Sequence, residues 1–181
     1  VNNNGFITFD TPMSTYVPYR FPARSGIDII AGFWTDIDDR NNGIISYRQV
    51  TSGSVLQQAT SDINQYFPLI QFTARWVFMA TWDRVAYYPN SGTETTFQVV
   101  LISDGTYSFV LLNYGIIAAT NKVIEYCPGM IVFLFPLLQA GYDTRTSDHH
   151  FVIPGSFQSN ITNLMYTSNV NVPGRWAFRT D

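Results

Sequence analysis

The stretch "TTFQVVLISDGTYSFVLLNYG" (Thr95 to Gly115) decides the fold of this chain. Two runs rich in β-branched and aromatic residues flank Asp104-Gly105, a dipeptide typical of two-residue β-hairpin turns, because its glycine tolerates the positive φ that such turns need. Apolar residues fall on both faces of each run, whereas a strand with one solvated face alternates apolar and polar residues. The sequence therefore predicts an antiparallel hairpin at the centre of a sheet rather than at its edge.

The register of this hairpin follows from the length of its turn. A two-residue turn places Val99 opposite Val110, and Val100 opposite Phe109. Both pairs are apolar, and because successive side chains alternate across a sheet, the two pairs lie on opposite faces. We therefore expect a hydrophobic core on each side of the hairpin.

Strand patterns continue outward from the hairpin in both directions. In "RWVFMATWDRVAYY" (Arg75 to Tyr88), Trp76, Phe78, Ala80 and Trp82 share one side of the predicted strand. Turn signals such as "NNG" separate these runs from their neighbours. The other predicted strands are "GFITF" (5–9), Ile27 to Ile37, "IISYRQV" (44–50) and "GRWAFR" (174–179).

One segment, Ser54 to Phe67, departs from the strand pattern. Its apolar residues recur near helical spacing: Val55, Leu56, Ala59, Ile63, Tyr66 and Phe67. Ser54 and Gln57 have the spacing of a capping box, and Pro68 closes the far end. We therefore predict a mainly β fold at the margin of α+β, with antiparallel β-sandwich-like sheets and one amphipathic helix near 54–67. No internal repeat or linker divides residues 1–181, which predicts a single domain.

Composition excludes several classes of protein. Of the 181 residues 46% are hydrophobic and 13% charged, which excludes a disordered chain. The net charge is -3, and with nine arginines and the single lysine Lys122 there is no basic tract, so we expect no nucleic-acid partner. The single cysteine, Cys127, has no internal partner for a disulfide. The chain opens without a methionine in the middle of a pattern, so we interpret it as a fragment.

The acidic stretch "DIDDRNNG" (36–43) is the best candidate for a metal loop, since hard cations prefer several oxygen ligands close together. It fails the EF-hand pattern, because a loop starting at Asp36 has Asn41 rather than glycine at its sixth position. The favoured interpretation is a strand end followed by a hairpin, with Arg48 on the returning strand paired to Asp36 or Asp38. The calcium candidates that remain as an alternative are Asp36, Asp38, Asp39 and Asn42.

No motif for catalysis stands out. His149-His150 are the only histidines, and we interpret them as a surface turn. Neither a nucleophile elbow nor a glycine-rich phosphate loop is present, and the carboxylates Asp36 and Asp83 pair only in principle. We therefore predict no catalytic residue, no cofactor and no enzyme. The aromatic surplus favours a packed core over a sugar-binding platform.

Several segments, in order and spacing, resemble the extracellular nidogen-type domain, NIDO. The resemblance is closest to its alpha-tectorin-like and sushi–nidogen–EGF branch, and the closing segment is the most specific. The matching segments are "VNNNGFITF" (1–9), "AGFWTDIDDR" (31–40), "GIISYR" (43–48), "ATWDRV" (80–85), "TTFQVVLISDGTYSFVLLNYG" (95–115), "AGYDT" (140–144), "IPGS" (153–156) and "SNVNVPGRWAFRTD" (168–181).

The resemblance implies a secreted, non-catalytic matrix module for cell–matrix adhesion or matrix assembly. Its partners would be extracellular matrix or cell-surface proteins, reached through protein–protein contacts. Domains of this family begin upstream of Val1, so we expect an N-terminally truncated domain. The alternative function is an extracellular calcium- or glycan-binding domain that uses Asp36 to Asn42. In a secreted glycoprotein, Asn160 of Asn160-Ile161-Thr162 is the candidate for N-glycosylation.

The segment Tyr126 to Gln139 departs from the family pattern as an anomalous apolar insert. Its apolar core, Gly129 to Leu138, has about half the length of a membrane-spanning helix and contains Pro136, so we expect no membrane insertion. Two interpretations stay open. The segment extends or covers a sheet edge, or it is retained intron sequence, since its end can be encoded by a pyrimidine-rich run.

Overall fold

The computed structural model describes residues 1–89, 92–119 and 137–181, which contain ten strands, one α-helix and one 3-10 helix. The fold is mainly β, and its strand pairs are antiparallel, as the sequence predicts. In chain order the elements are Phe6–Thr8 (β1), Ile29–Trp34 (β2), Ile37–Asp38 (β3), Ile44–Val50 (β4), Ser54–Tyr66 (α1), Trp76–Tyr87 (β5), Thr95–Ser103 (β6), Ser108–Tyr114 (β7), Gln139–Asp143 (β8), His150–Val152 (β9), the 3-10 helix Ser159–Met165, and Arg175–Arg179 (β10).

The larger sheet has six strands in the order β10-β7-β6-β5-β3, with β4 also paired to β5. Strand β5 is long enough, at twelve residues, to hold two strands end to end along one edge. Strand β4 pairs with Val77 to Asp83, and β3 pairs with Ala86 and Tyr87. The predicted strand over 27–37 is therefore divided, since its last residue belongs to β3 in this sheet.

The smaller sheet has four strands in the order β1-β2-β8-β9, and every residue of β2 is buried. The sequence did not predict β8 or β9. The two sheets face one another across the main core, to which the smaller sheet contributes Ile7, Ile30, Phe33 and Ala140, and the larger sheet contributes Trp82, Phe97, Val99, Val110, Leu112 and Trp176. The arrangement is the predicted β-sandwich.

The outer face of the smaller sheet is also buried. Phe6 and Trp34 pack with ring centroids 4.9 Å apart, and Tyr19 meets Trp34 edge-on at 4.8 Å. The indole nitrogen of Trp34 donates to the carbonyl oxygen of Thr15 at 3.4 Å. The segment between β1 and β2 therefore covers this face in place of a helix.

Helix α1 covers part of the outer face of the larger sheet, as its amphipathic pattern predicts. Its buried residues Ala59 and Ile63 belong to a second core cluster with Val100 and Leu111 of the hairpin. The predicted capping box is wrong. Gly53 is the N-cap residue and no side chain caps the helix, because Ser54 already lies inside the first turn.

The β6–β7 hairpin is central, because β6 also pairs with β5 and β7 also pairs with β10. Its predicted register is wrong by two residues: Val99 lies opposite Leu112, and Val100 lies opposite Leu111. The Asp104 carboxylate accepts from the backbone N–H groups of Thr106 at 2.8 Å and Tyr107 at 2.7 Å, which stabilises a four-residue loop. A shift of two residues keeps every side chain on its predicted face.

The anomalous apolar insert over 126–139 lies outside the described residues except for its last three. Leu138 is buried in the main core, and Gln139 begins β8. The end of the insert is thus part of the fold, whereas its strand and intron interpretations remain predictions.

Candidate protein-interaction surface

The acidic loop between β3 and β4 is organised by an ion pair within itself. The side chain of Asp38 is buried, and Arg40 donates to it twice, from Nε to Oδ1 at 2.8 Å and from Nη2 to Oδ2 at 2.7 Å. This hydrogen bonding raises the pKa of Arg40. The expected pairing of Arg48 with Asp36 or Asp38 is wrong, because β3 and β4 lie end to end along β5 and Arg48 lies opposite Met79.

The other calcium candidates, Asp36, Asp39 and Asn42, do not form a metal site with Asp38 among the described residues. The Asn42 amide donates to the carbonyl oxygens of Arg84 at 2.8 Å and Thr93 at 3.1 Å, which ties the loop to β5. Asp39 is exposed and Asp36 is half-buried. In the described part of the chain, no group of three His, Cys, Asp or Glu residues could hold a metal ion. Calcium binding by this loop stays a prediction.

Two other predicted positions lie on the surface. His149 is exposed in a bend, but His150 begins β9, so the predicted surface turn ends one residue early. The Nδ1 atom of His150 lies 2.9 Å from the carbonyl oxygen of Ser147. Asn160 is exposed in the 3-10 helix, where a glycan has room, and its glycosylation stays a prediction.

The most distinctive exposed element is β4. Within the described residues it pairs only with β5, over seven residues without a bulge. Its outer edge therefore presents backbone N–H and C=O groups to solvent. Ile44 and Tyr47 have relative exposures of 63% and 68%, large values for apolar and aromatic side chains on a regular strand.

An aromatic row lies on one face of this edge. The ring centroids of Tyr47 and Phe78 are 6.1 Å apart, and those of Phe78 and Trp76 are 6.2 Å apart in nearly parallel planes. The indole nitrogen of Trp76 donates to the side-chain oxygen of Gln49 at 3.3 Å. Phe78 and Trp76 lie on the face of β5 that forms the main core, and Phe78, the middle ring of the row, packs against that core.

A groove of about 470 Å³, lined by both polar and apolar side chains, lies mainly on the opposite face of β4. Its one carboxylate is Asp83, whose side chain is 45% exposed and whose Oδ2 lies 3.6 Å from Nε of Arg84. Arg48 supplies the one positive charge of the lining. The groove is lined by Ile44, Ser46, Tyr47, Arg48, Met79, Thr81, Asp83 and Gln98.

A ladder of polar side chains anchors the floor of this groove across the sheet. Gln98 donates to the hydroxyl of Thr81 at 2.8 Å, and Asn113 donates to Gln98 at 3.1 Å. Arg175 on β10 donates from Nε to Asn113 at 2.8 Å and from Nη1 to Asp62 of α1 at 3.0 Å. These contacts fix the sheet on which the open edge lies.

An open strand edge beside an exposed aromatic row and a charged groove can add a strand from a partner, with side-chain contacts on both faces. Sequence reasoning found β4 but not its exposure, because exposure depends on β4 lying at the outer side of β5. The polar run Ser46 to Gln49, with Tyr47 inside it, was the available signal.

Two antiparallel sheets packed face to face define a β-sandwich domain. The nidogen-like domain profile matches residues 1–181, and the chain belongs to that family. Alpha-tectorin of Mus musculus is 40% identical over 184 residues, covering 100% of this chain and 8% of the relative. Nidogen-2 of Mus musculus is 32% identical, covering 98% of this chain and 14% of the relative. No solved structure matches the chain.

These matches confirm the resemblance to the NIDO family and its alpha-tectorin-like branch. Alpha-tectorin and the nidogens are extracellular matrix proteins, and the chain is an extracellular domain of that class. It spans only a small part of the curated relatives, 8% of alpha-tectorin and 14% of nidogen-2. None of the helices in the described residues has the length and apolar character needed to cross a membrane.

Proposed function

We propose that this domain is a non-catalytic adhesion or assembly module of the extracellular matrix, which acts through protein–protein contacts at the open edge of β4. The observation that carries the proposal is the seven-residue edge with its exposed Tyr47 and Ile44. Proteins usually protect such an edge with proline, lysine, a bulge or a covering segment. The sequence of β4, "IISYRQV", has Arg48 as its one charged residue, has neither proline nor lysine, and pairs with β5 in an unbroken register. An edge left open in this way is suited to a partner.

Membership of the nidogen-like family also supports a function in binding rather than in catalysis. The alpha-tectorins and nidogens are structural proteins of the matrix, for which binding rather than catalysis is the expected activity. The aromatic row beside the edge adds the type of side chain that is enriched at the centres of protein interfaces. The partner would be a matrix or cell-surface protein.

Retention of the purified chain on decellularised extracellular matrix tests the proposal. The variant Tyr47→Lys places a flexible charge on the edge, and we expect it to lower retention at least about tenfold, the effect of losing one interface anchor. Tyr166→Lys is the matched control, because Tyr166 is 73% exposed and lies outside β4. Equal retention of the two variants would refute the proposal.

A further inference from the structure

Strand β4 can pair all seven of its residues when it is laid antiparallel to a second copy. We propose that two copies of this chain associate by pairing their β4 strands antiparallel about a two-fold axis at Tyr47, with Arg48 of each copy directed to the groove that contains Asp83 of the other. The inference rests on the proposed function, since it names the partner of the same edge. A contact of this kind is isologous, so one surface serves both copies.

The register follows from the strand itself. Centring the axis on Tyr47 is the arrangement that pairs all seven residues of β4. Ile44 then lies opposite Val50 of the second copy, and Ser46 lies opposite Arg48. A two-fold axis at a residue also brings the outward N–H and C=O groups of the two copies into register, because the same positions point outward in both strands.

The charges of the groove favour this register. Arg48 is the one charged residue of β4, and it forms no ion pair with another described residue. In the paired arrangement the second copy's Arg48 lies in the row of Ser46 and Thr81, with Asp83 one row away on β5. The two Arg48 side chains lie diagonal to one another, about 7–8 Å apart at Cβ, so each guanidinium extends away from the other and toward the groove that contains Asp83.

The aromatic row favours it on the other face. Tyr47 of each copy lies directly opposite the other, where cross-strand side chains are about 4.5–5.5 Å apart at Cβ. Phe78 and Trp76 of both copies extend the row, so six rings form one strip across the two sheets. This contact removes Tyr47, the one aromatic side chain of β4, from water.

The size of the contact sets its strength. A single pair of seven-residue strands buries less than the roughly 1,600 Å² of a standard stable interface, so the association is weak and reversible. Weak contacts of this type gain strength when several copies are held near one another, because the effective local concentration is high. A module that forms a small part of a long matrix protein meets that condition.

Site-specific disulfide formation tests the pairing. In a chain carrying Cys127→Ser, the variant Tyr47→Cys places two thiols opposite one another across the axis. Gln49→Cys is the matched control on the same face of the same strand, because position 49 lies opposite position 45 and the two thiols are then beyond the reach of about 7 Å between Cα atoms. Under mild oxidation we expect position 47 to form a disulfide-linked dimer at least about ten times faster than position 49, in line with this geometric limit.

Charge reversal gives a second measurement. Arg48→Glu is expected to slow the disulfide formation at position 47, and Arg48→Glu with Asp83→Arg is expected to restore it. Equal rates at positions 47 and 49 would overturn the inference. If those rates are equal while Tyr47→Lys still loses matrix retention, the edge binds a different protein, and only the self-pairing fails. If Tyr47→Lys keeps full retention, the proposed function fails as well.

Discussion

At the scale of single residues, Gly5 allows the backbone of the N-terminal segment to lie directly against the backbone of β2. Its φ is +89°, and its carbonyl oxygen accepts from the backbone N–H of Phe33 at 3.0 Å. A Cβ atom at this position would lie 2.0 Å from the carbonyl oxygen of Phe33, so any side chain must displace backbone.

We expect Gly5→Ala to destabilise the domain more than Gly105→Ala, as measured by urea unfolding. Gly105 has φ +93° and nothing within 4 Å of its added Cβ, so alanine there adds only the left-handed strain of about 1–2 kcal/mol. Gly5→Ala adds the backbone clash to a similar strain, for a total of about 3 kcal/mol or more. Equal losses of stability would contradict the close approach.

The buried tyrosines determine how the domain responds to alkali. Burial raises the pKa of Tyr87 to about 12 and raises that of Tyr114 well above its ordinary value of 10.0. The Tyr114 hydroxyl donates to the carbonyl oxygen of Gly32 at 2.8 Å, which links the two sheets. Because the folded state holds these protons more tightly than the unfolded state, the stability they contribute is complete below about pH 10 and is lost as the pH rises further.

Tyr114→Phe tests this assignment. The variant loses about 1 kcal/mol at neutral pH with its hydrogen bond. Above pH 10 the free energy of unfolding of the variant should fall less steeply than that of the wild type, by about 1.4 kcal/mol per pH unit, since one titrating group is removed. Denaturant unfolding at a series of pH values measures both slopes, and parallel slopes would show that Tyr114 is not the group responsible.

At the scale of elements, Arg175 fixes α1 to the sheet. Its guanidinium contacts Asp62 at 3.0 Å and the Tyr66 hydroxyl at 2.8 Å, and the two charged side chains are 27% and 13% exposed. A double-mutant cycle with Arg175→Met and Asp62→Ala should give a coupling energy of about 1–3 kcal/mol by urea unfolding, because neither charge is well solvated.

The exposed pair of Arg84 and Asp83 is the control for this cycle. Its side chains are 64% and 45% exposed at a separation of 3.6 Å. Solvent screens such a pair, so its coupling energy should stay below about 1 kcal/mol. A coupling between Arg175 and Asp62 no larger than this would mean that the ladder does not hold the helix in place.

The elements also show how far the sequence determines the fold. The local periodicity of the sequence was sufficient to predict α1, β4, β5 and the central hairpin. The hairpin register was missed because the Asp104 side chain, rather than a tight backbone turn, shapes the loop. Strands β8 and β9 are five and three residues long, too short to show a pattern, and β8 depends on pairing with β2 whereas β9 depends on pairing with β8.

The candidate site was harder to predict than the fold. The residue types of the acidic loop suggested a metal site, but the Asp38 carboxylate forms an ion pair with Arg40, two residues away. The edge of β4 has no chemical motif. Its importance follows from its position beside β5, and that position depends on pairings distant in sequence.

At the scale of the whole molecule, calcium separates the proposed function from the alternative. Arg40 occupies the buried Asp38 carboxylate with two hydrogen bonds, so an ion would have to displace it. We expect calcium to leave the melting temperature of the domain unchanged. A rise that a chelator reverses would instead favour the ion-binding function, and Asp38→Asn should then abolish that rise.

The most direct test of the interaction surface is hydrogen–deuterium exchange of the backbone amides, with and without a solubilised extracellular matrix extract. The central claim is that the domain binds through the edge of β4. It predicts slower exchange over Ile44–Val50 when the extract is present, because a partner strand covers the outward N–H groups, and unchanged exchange over Ser159–Met165. Protection that appears elsewhere while Ile44–Val50 exchanges at its free rate would contradict the claim.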